Sequence, residues 1–533
     1  MARATSFPAR WFTPLLALVA SVALVTGCST IGADDPTSNP TGISTDAEAT
    51  PTEPAQDAEF ATVDQALLDA GRGTLTHEGL TVTNLLVTHE MPGLAYSLDI
   101  VRGQVVRQHH WDGGGQLTVT PTLVASSTKA LAVALKATTP AGTNTAIVHY
   151  DPQTNHSFAS PALIAPAQWE GFVAAVRELA GESGDQAATQ LAEPTFPNGA
   201  GPAIGFSASG DLVVHFQVVD GSTIAPVVVP GDQAAGMLSQ FGTHARAAAR
   251  YPTAAATPER FLPFDPTVVG KPSTTTPSPS ATPTATTTSG SSSSPSSTAS
   301  STPAPVVDKR PQLVLGTDCQ VAKCVALTFD DGPVPQTQDV LDQLNALKAP
   351  ATFFVLGTSV DNFPKMLTAT AANGMEIASH NQVHNQMSRT GGELLTRQVT
   401  MSADNIRELT GADPLFLRPP YGARNKSSDG ITGKQGMAVA LWSVDTEDWK
   451  HSKASPQGAQ NAILAAVNKQ VDDGGVILMH DIHGNSRAAT TAVVNQLREK
   501  GYTLVTMAEL APADWRFGRA YCSSPAQRPS CVG

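Results

Sequence analysis

The chain is poor in charge: of its 533 residues only 15% are Asp, Glu, Lys or Arg, and they sum to −13. No basic stripe is present to neutralise phosphates, which argues against a nucleic-acid partner. The same balance gives an anionic surface little to hold by charge alone. Beyond the first residues there are no long apolar runs, so no later segment is expected to span a membrane. Cysteine is scarce, at five residues, and none shows the spacing of a strong cysteine-based zinc site. Pro, Gly, Ser and Thr are plentiful instead. At this length two or more domains are expected, and the composition implies folded blocks joined by polar linkers.

The N-terminus reads as an export signal. Arg3 and Arg10 flank or precede an apolar core, Leu15 to Val25, that is too short to span a bilayer comfortably. The signal, residues 1–28, closes on "LVTGC", which resembles the lipobox of bacterial lipoproteins. That resemblance implies acylation of Cys28 and an extracytoplasmic protein anchored to the cell membrane rather than inserted in it. Setting Cys28 aside leaves Cys319, Cys324, Cys522 and Cys531, an even number suited to two disulfides in an oxidising compartment. Spacing favours the local pairs Cys319–Cys324 and Cys522–Cys531, with crossed pairings left open.

Residues 29–57 are expected to be a disordered tether. Residues 266–307, dominated by "KPSTTTPSPSATPTATTTSGSSSSPSSTASSTPAP", form a Pro/Ser/Thr-rich linker. They separate a first region, 58–265, from a second, 308–520, with a cysteine-containing tail at 521–533. The first region reads as a smaller α+β domain. "LTVTNLLVTHE" and "LAYSLDIV" look like strands, and "AIGFSASGDLVVHFQVV" looks like a hairpin turning at Ser209-Gly210. "AQWEGFVAAVRELAG" sets Phe172, Val173, Val176 and Leu179 at helical spacing and closes on Gly181. His109, His110 and Trp111 have no second cluster to complete a site and are read as structural.

The second region alternates continuous apolar strands with amphipathic helices. "CVALTF" leads to "TQDVLDQLNALKA", where Val340, Leu341, Leu344 and Leu347 share a face, and the alternation continues to "GGVILMHD" and "YTLVTM". This pattern predicts an α/β fold, a parallel sheet covered by helices, open or closed as a barrel. In such folds chemistry gathers at the C-terminal strand ends.

Polar residues stand at the ends of five of these strands: Asp330-Asp331, His380 with His384, Arg418 to Tyr421, Asp445 with Asp448-Trp449, and His480-Asp481. Two carboxylates as close as Asp330 and Asp331 do not both ionise cheaply unless a cation is near. His380 and His384 are spaced so that two imidazoles can share one metal. Two histidines and one aspartate leave open positions for water and substrate, as in a hydrolytic zinc site.

The motifs "TFDDGP", "HNQVH", "RPPYG", "DTEDW" and "LMHD", in that order over about 150 residues, make the second region resemble the polysaccharide deacetylase (NodB-homology) family of carbohydrate esterases. The resemblance implies a distorted (β/α) barrel and a divalent metal, zinc with cobalt or manganese as alternatives, held by Asp331, His380 and His384. It further implies Asp330 as general base, Arg418 holding that base ionised, and His480 as the acid that protonates the departing amine. Asp448 would pair with His480 and raise its pKa, and the backbone N–H of Tyr421 would face the oxyanion. Trp449, Leu478 and Pro420 would line the substrate's acetyl site. Asp445 stays outside this set, and His483 is read as a rim residue. The chain departs from the family where Ser or Thr usually follows the first histidine, here Asn381, and where Pro often follows the second, here Asn385. Asn can supply a similar hydrogen bond, so altered metal affinity or loop order is expected rather than a lost group.

The first region resembles a small α/β domain found beside extracytoplasmic deacetylases and in certain lysozyme-sensing anti-sigma factors. The leading expectation is thus N-deacetylation of an acetylated amino-sugar polymer, with peptidoglycan preferred because of the expected location. The rivals are O-deacetylation of acetylxylan or another wall glycan, and an inactive glycan-binding or lysozyme-sensing lipoprotein.

Overall fold

The computed structural model describes residues 58–87, 91–193, 201–219, 221–255, 308–311, 313–511 and 516–522. The expected export signal, Cys28, the tether, the linker and Cys531 lie outside the described residues. Among the described residues no helix is long and apolar enough to cross a membrane.

The first region is built on a sheet of β1 (Gly71–His77), β2 (Leu80–Leu86), β3 (Leu117–Ser126), β4 (Leu131–Thr139), β5 (Gly142–Asp151) and β6 (His156–Phe158), in sequence order. Only β2 and β3 pair in parallel, which demands a crossover, and α1 (Pro92–Trp111) supplies it. This corrects the strand expected at "LAYSLDIV". Leu94, Leu98, Val101 and Val105 recur every three or four residues and are buried against the sheet, a period that so short a window conceals. In β4, Leu131, Val133 and Leu135 face α1, while Ala132 and Ala134 face a second core. That second core holds α2 (Trp169–Leu179), α3 (Gly184–Ala192), the antiparallel sheet β7 (Ala203–Phe206), β8 (Leu212–His215) and β9 (Val227–Val229), α4 (Gly231–Ala235) and α5 (Gln240–Arg250). The expected hairpin is β7–β8, with Gly210 in the left-handed region at φ 91°. On α2, Phe172 and Val176 are buried and Val173 packs beside them, but Leu179, the last helical residue, is exposed.

The second region runs β10 (Cys324–Asp330), α6 (Thr337–Ala346), β11 (Thr352–Val355), α7 (Gly357–Asn362), α8 (Pro364–Ala372), β12 (Glu376–Ser379) and α9 (Gly392–Thr410). It continues through β13 (Phe416–Leu417), α10 (Lys426–Lys434), β14 (Ala438–Ala440), β15 (Val444–Asp445), α11 (Pro456–Gln470) and β16 (Gly475–His480). It ends with α12 (Gly484–Glu499), β17 (Thr503–Val505), α13 (Met507–Leu510) and β18 (Ala520–Tyr521). The strands pair in parallel in the order β15-β16-β10-β11-β12-β13-β14-β18, with β17 against the first half of β10. Among the described residues β15 and β18 do not pair, so the sheet is a half-barrel with helices outside. Every residue of β10 is buried, as its unbroken apolar run requires. A Cys319–Cys324 disulfide closes the loop entering β10, and Cys522 is disulfide-bonded as well.

The two regions are docked. Arg107 of α1 donates to Gly374 O at 2.9 Å and pairs with Glu509 at 3.2 Å, both side chains buried. Asn84 Nδ2 donates to Gly411 O at 2.9 Å, and Trp111 Nε1 to Asn345 Oδ1 at 3.3 Å. Trp111 thus takes part in the contact between the two regions. Backbones meet where Gly73 faces Gly411: a Cβ on Gly73 would lie 2.2 Å from Gly411 O. Gly374, Gly411 and Asn345 each precede a strand, so the first region covers the N-terminal end of the half-barrel, away from the C-terminal strand ends.

Candidate active site

Strand register brings the polar residues to one rim. Asp330 is level with His480 on one side and Phe354 on the other, Val355 with Ser379, and Ser379 with Leu417. His380 and Arg418 are therefore the next residues past two neighbouring strand ends.

At the end of β10 the two aspartates part. Asp331 adopts a left-handed conformation, φ 76°, which Asp tolerates better than most residues. Asp331 Oδ1 lies 3.5 Å from His380 Nε2 and 3.4 Å from His384 Nε2, and it is buried with no hydrogen-bond donor. Backbone carbonyl Arg418 O, 2.7 Å from His380 Nδ1, accepts a hydrogen bond from that nitrogen, so the neutral ring carries its proton at Nδ1 and leaves Nε2 bare. Burial, resisted by Asp330 and Asp331, lowers the pKa of His380 and favours the neutral ring that a metal needs. One donor atom from each of Asp331, His380 and His384 lies within 4.8 Å of the others. An orphaned carboxylate oxygen facing two imidazole nitrogens fits a divalent cation.

Asp330 is held differently. Arg418, fully buried, donates through Nη1 to Asp330 Oδ1 at 2.7 Å and to Thr328 Oγ1 at 2.8 Å, and through Nη2 to Leu441 O at 3.1 Å. Its guanidinium stacks on Phe354, 3.9 Å from the ring centre. This pairing occupies Oδ1 and leaves Asp330 Oδ2 3.8 Å from His380 Nε2.

On the adjoining strand β16, His480 Nδ1 donates to Asp448 Oδ1 at 2.8 Å, while its backbone N–H donates to Oδ2 at 2.8 Å. Burial disfavours the imidazolium, but the bond and charge of Asp448 outweigh it and lift His480 to about 9. Burial likewise opposes ionisation of Asp448, and His480 overcomes it, so the Asp448 pKa falls. His483 stands beside His480 with ring centres 5.7 Å apart, and its pKa is lowered by burial.

The remaining expected residues are placed unequally. Tyr421 is left-handed at φ 62°, 63% exposed, and its ring meets His384 edge-on at 4.4 Å. Pro420 and Leu478 are buried. Trp449 is 49% exposed with Lys450 over its ring, so it flanks the site instead of lining an enclosed pocket. Asp445 sits at the end of β15, where its Oδ1 accepts from Glu447 N.

Asp481 is a residue that the motif reading named but gave no role. It is buried beneath the β10 corner and accepts a hydrogen bond from Thr337 Oγ1. Burial and, against the pull of Thr337, the charge of Asp331 push its carboxyl up to about 7. A Cβ on Gly332 would lie 2.3 Å from Asp481 Oδ2, so the corner is glycine by necessity. Its place next to His480 at a strand end was the available signal.

Residues 317–440 match the polysaccharide deacetylase family. Over 189 residues the chain is 38% identical to the peptidoglycan-N-acetylmuramic acid deacetylase PdaC of Bacillus subtilis, an overlap of 35% of this chain and 38% of that protein. It is 36% identical over 200 residues to the peptidoglycan-N-acetylglucosamine deacetylase PgdA of Listeria monocytogenes, covering 37% and 41%. With a chitooligosaccharide deacetylase of a Bradyrhizobium species it shares 34% identity over 205 residues, covering 38% of this chain and 89% of that one. The chain thus spans about two-fifths of the length of the first two relatives.

Proposed function

Because the chain belongs to the polysaccharide deacetylase family, we propose that it is a metal-dependent N-deacetylase of an acetylated amino-sugar polymer, with cell-wall peptidoglycan as its substrate. The observation that carries the reading is the split between the adjacent aspartates: Asp331 Oδ1 faces His380 and His384 without a donor, while Arg418 holds Asp330. Peptidoglycan is preferred because two relatives are named for it and because the lipobox-like Cys28 would hold the enzyme at the cell envelope.

In this reading Asp331, His380 and His384 hold the cation, zinc in the first instance. Bound there, it supplies Lewis acidity toward water and the substrate carbonyl. Asp330, held by Arg418, takes the proton of the attacking water. The backbone N–H of Tyr421 donates to the carbonyl oxygen as it gains charge. His480, protonated at neutral pH through Asp448, gives its proton to the departing amine, and the C–N bond breaks to release acetate. Leu478, Pro420 and the flanking Trp449 shape the place of the acetyl group.

The test is acetate release from peptidoglycan, N-acetylglucosamine oligomers and acetylxylan, before and after chelation and with Asp331→Ala. Release from the amino-sugar polymers, abolished by both treatments, is expected. Release that survives both would overturn the metal mechanism, and release from acetylxylan alone would overturn the N-acetyl specificity.

A further inference from the structure

His380 and His384 belong to one loop but are secured unequally. The backbone N–H of His380 donates to Val355 O at 2.7 Å, and its ring is pinned by Arg418 O. Among the described residues the ring of His384 meets Asp331, His380 and the exposed Tyr421. Its position is therefore set by the backbone on either side of it, at Val383 and Asn385.

Both flanks are tied to Asn381, which is buried and left-handed at φ 68°. Asn381 Nδ2 donates to Val383 O at 3.2 Å, Asn385 Oδ1 at 3.0 Å and Gln398 Oε1 at 3.3 Å. Asn385 Nδ2 donates to the same Gln398 Oε1 at 3.3 Å and to Thr390 Oγ1 at 3.1 Å. Three oxygens around Asn381 Nδ2 dictate which way that amide faces, at the cost of burying its Oδ1 without a partner. Gln398 is the one member of the cluster on a regular element, α9, next to buried Val399 and one turn from buried Leu395 and Ser402. The Ser402 hydroxyl meets Ser379 Oγ at 2.8 Å, where the metal loop begins.

We propose that Gln398 is a positioning residue for the metal site. Its carbonyl oxygen receives the amides of Asn381 and Asn385 and so fixes the loop that aims His384 at Asp331. It anchors the two asparagines that stand where the family pattern has Ser or Thr and Pro. The proposal rests on the metal reading of this site, and its test separates the two.

Zinc affinity of the full chain is measured by chelator competition for the wild type, Gln398→Met and Gln398→Glu, with thermal unfolding of the metal-free proteins alongside. Methionine keeps the length and removes the acceptor, whereas glutamate keeps an acceptor oxygen. Gln398→Met is expected to weaken zinc binding about 10-fold, as loss of a partner behind a metal ligand does, while Gln398→Glu binds at least as tightly as wild type. Unchanged zinc affinity in Gln398→Met, with or without a lower unfolding temperature, overturns the proposal, as does an equal loss in Gln398→Glu. A wild-type protein that binds no zinc overturns the metal reading itself.

Discussion

Asp330 and Asp331 are chemically identical neighbours, and their environments make them unlike. Arg418 neutralises one, and the left-handed turn sends the other between two imidazoles. The opposite wall makes the same use of pairing, because Asp448 outweighs the burial of His480 and raises its pKa to about 9. The acid form then persists above neutral pH, so acetate release should hold through neutrality and fall on the alkaline side. A bound cation offsets the pull of Asp330 and Asp331 on His480 but leaves that of Asp448. Asp448→Asn should therefore move the alkaline limb of the kcat profile to lower pH and reduce kcat by about 100-fold or more at pH 8. An unmoved limb would show that His480 is not the titrating acid. The same shift links to stability: the folded pKa lies above the unfolded 6.5, so the pair contributes fully below pH 6.5 and is lost as pH rises through about 9. At this scale the sequence was readable because the reacting groups sit at strand ends and at short fixed spacings. Asp481 escaped assignment because its meaning depends on Gly332 and Thr337, which reach it only once the corner is folded.

Among the elements, β10 was the most legible, since an unbroken apolar run ending in polar residues admits few other readings. Helix α1 was misread because "LAYSLDIV" shows less than half of a helix whose apolar stripe emerges only over its whole length. The short strands β13, β14 and β15 owe their existence to pairing with neighbours rather than to propensity, so the alternation of apolar strands and helices does not mark their limits. The corner after β10 is where element geometry becomes chemistry. A methyl group at position 332 would collide with Asp481 and displace the aspartates next to it. Gly332→Ala should lower kcat/KM by about 100-fold, the usual effect of a misplacement near 1 Å, with an unaltered far-UV circular dichroism spectrum. Wild-type turnover in that variant would show that the corner is not constrained by Asp481.

For the molecule as a whole, the Pro/Ser/Thr-rich composition between the two regions suggested independent units. Their docking was not legible, because it depends on a surface match among residues such as Gly73 with Gly411 and Arg107 with Glu509, hundreds of positions apart. The first region lies over the N-terminal end of the half-barrel, where barrel folds keep stability rather than catalysis. Arg107→Ala leaves Glu509 buried without its cation and should cost about 3 kcal/mol of unfolding free energy. It should leave kcat/KM on chitooligosaccharides unchanged. A loss of activity with no loss of stability would mean that the first region acts on the site itself.

The division of labour between the paired aspartates is tested most directly by zinc titration of Asp330→Asn, with acetate release followed in the same samples. One zinc bound as in the wild type and no measurable acetate are expected. Failure to bind zinc would make Asp330 a ligand, and wild-type turnover would remove it as the base; either result would overturn the division between the two aspartates.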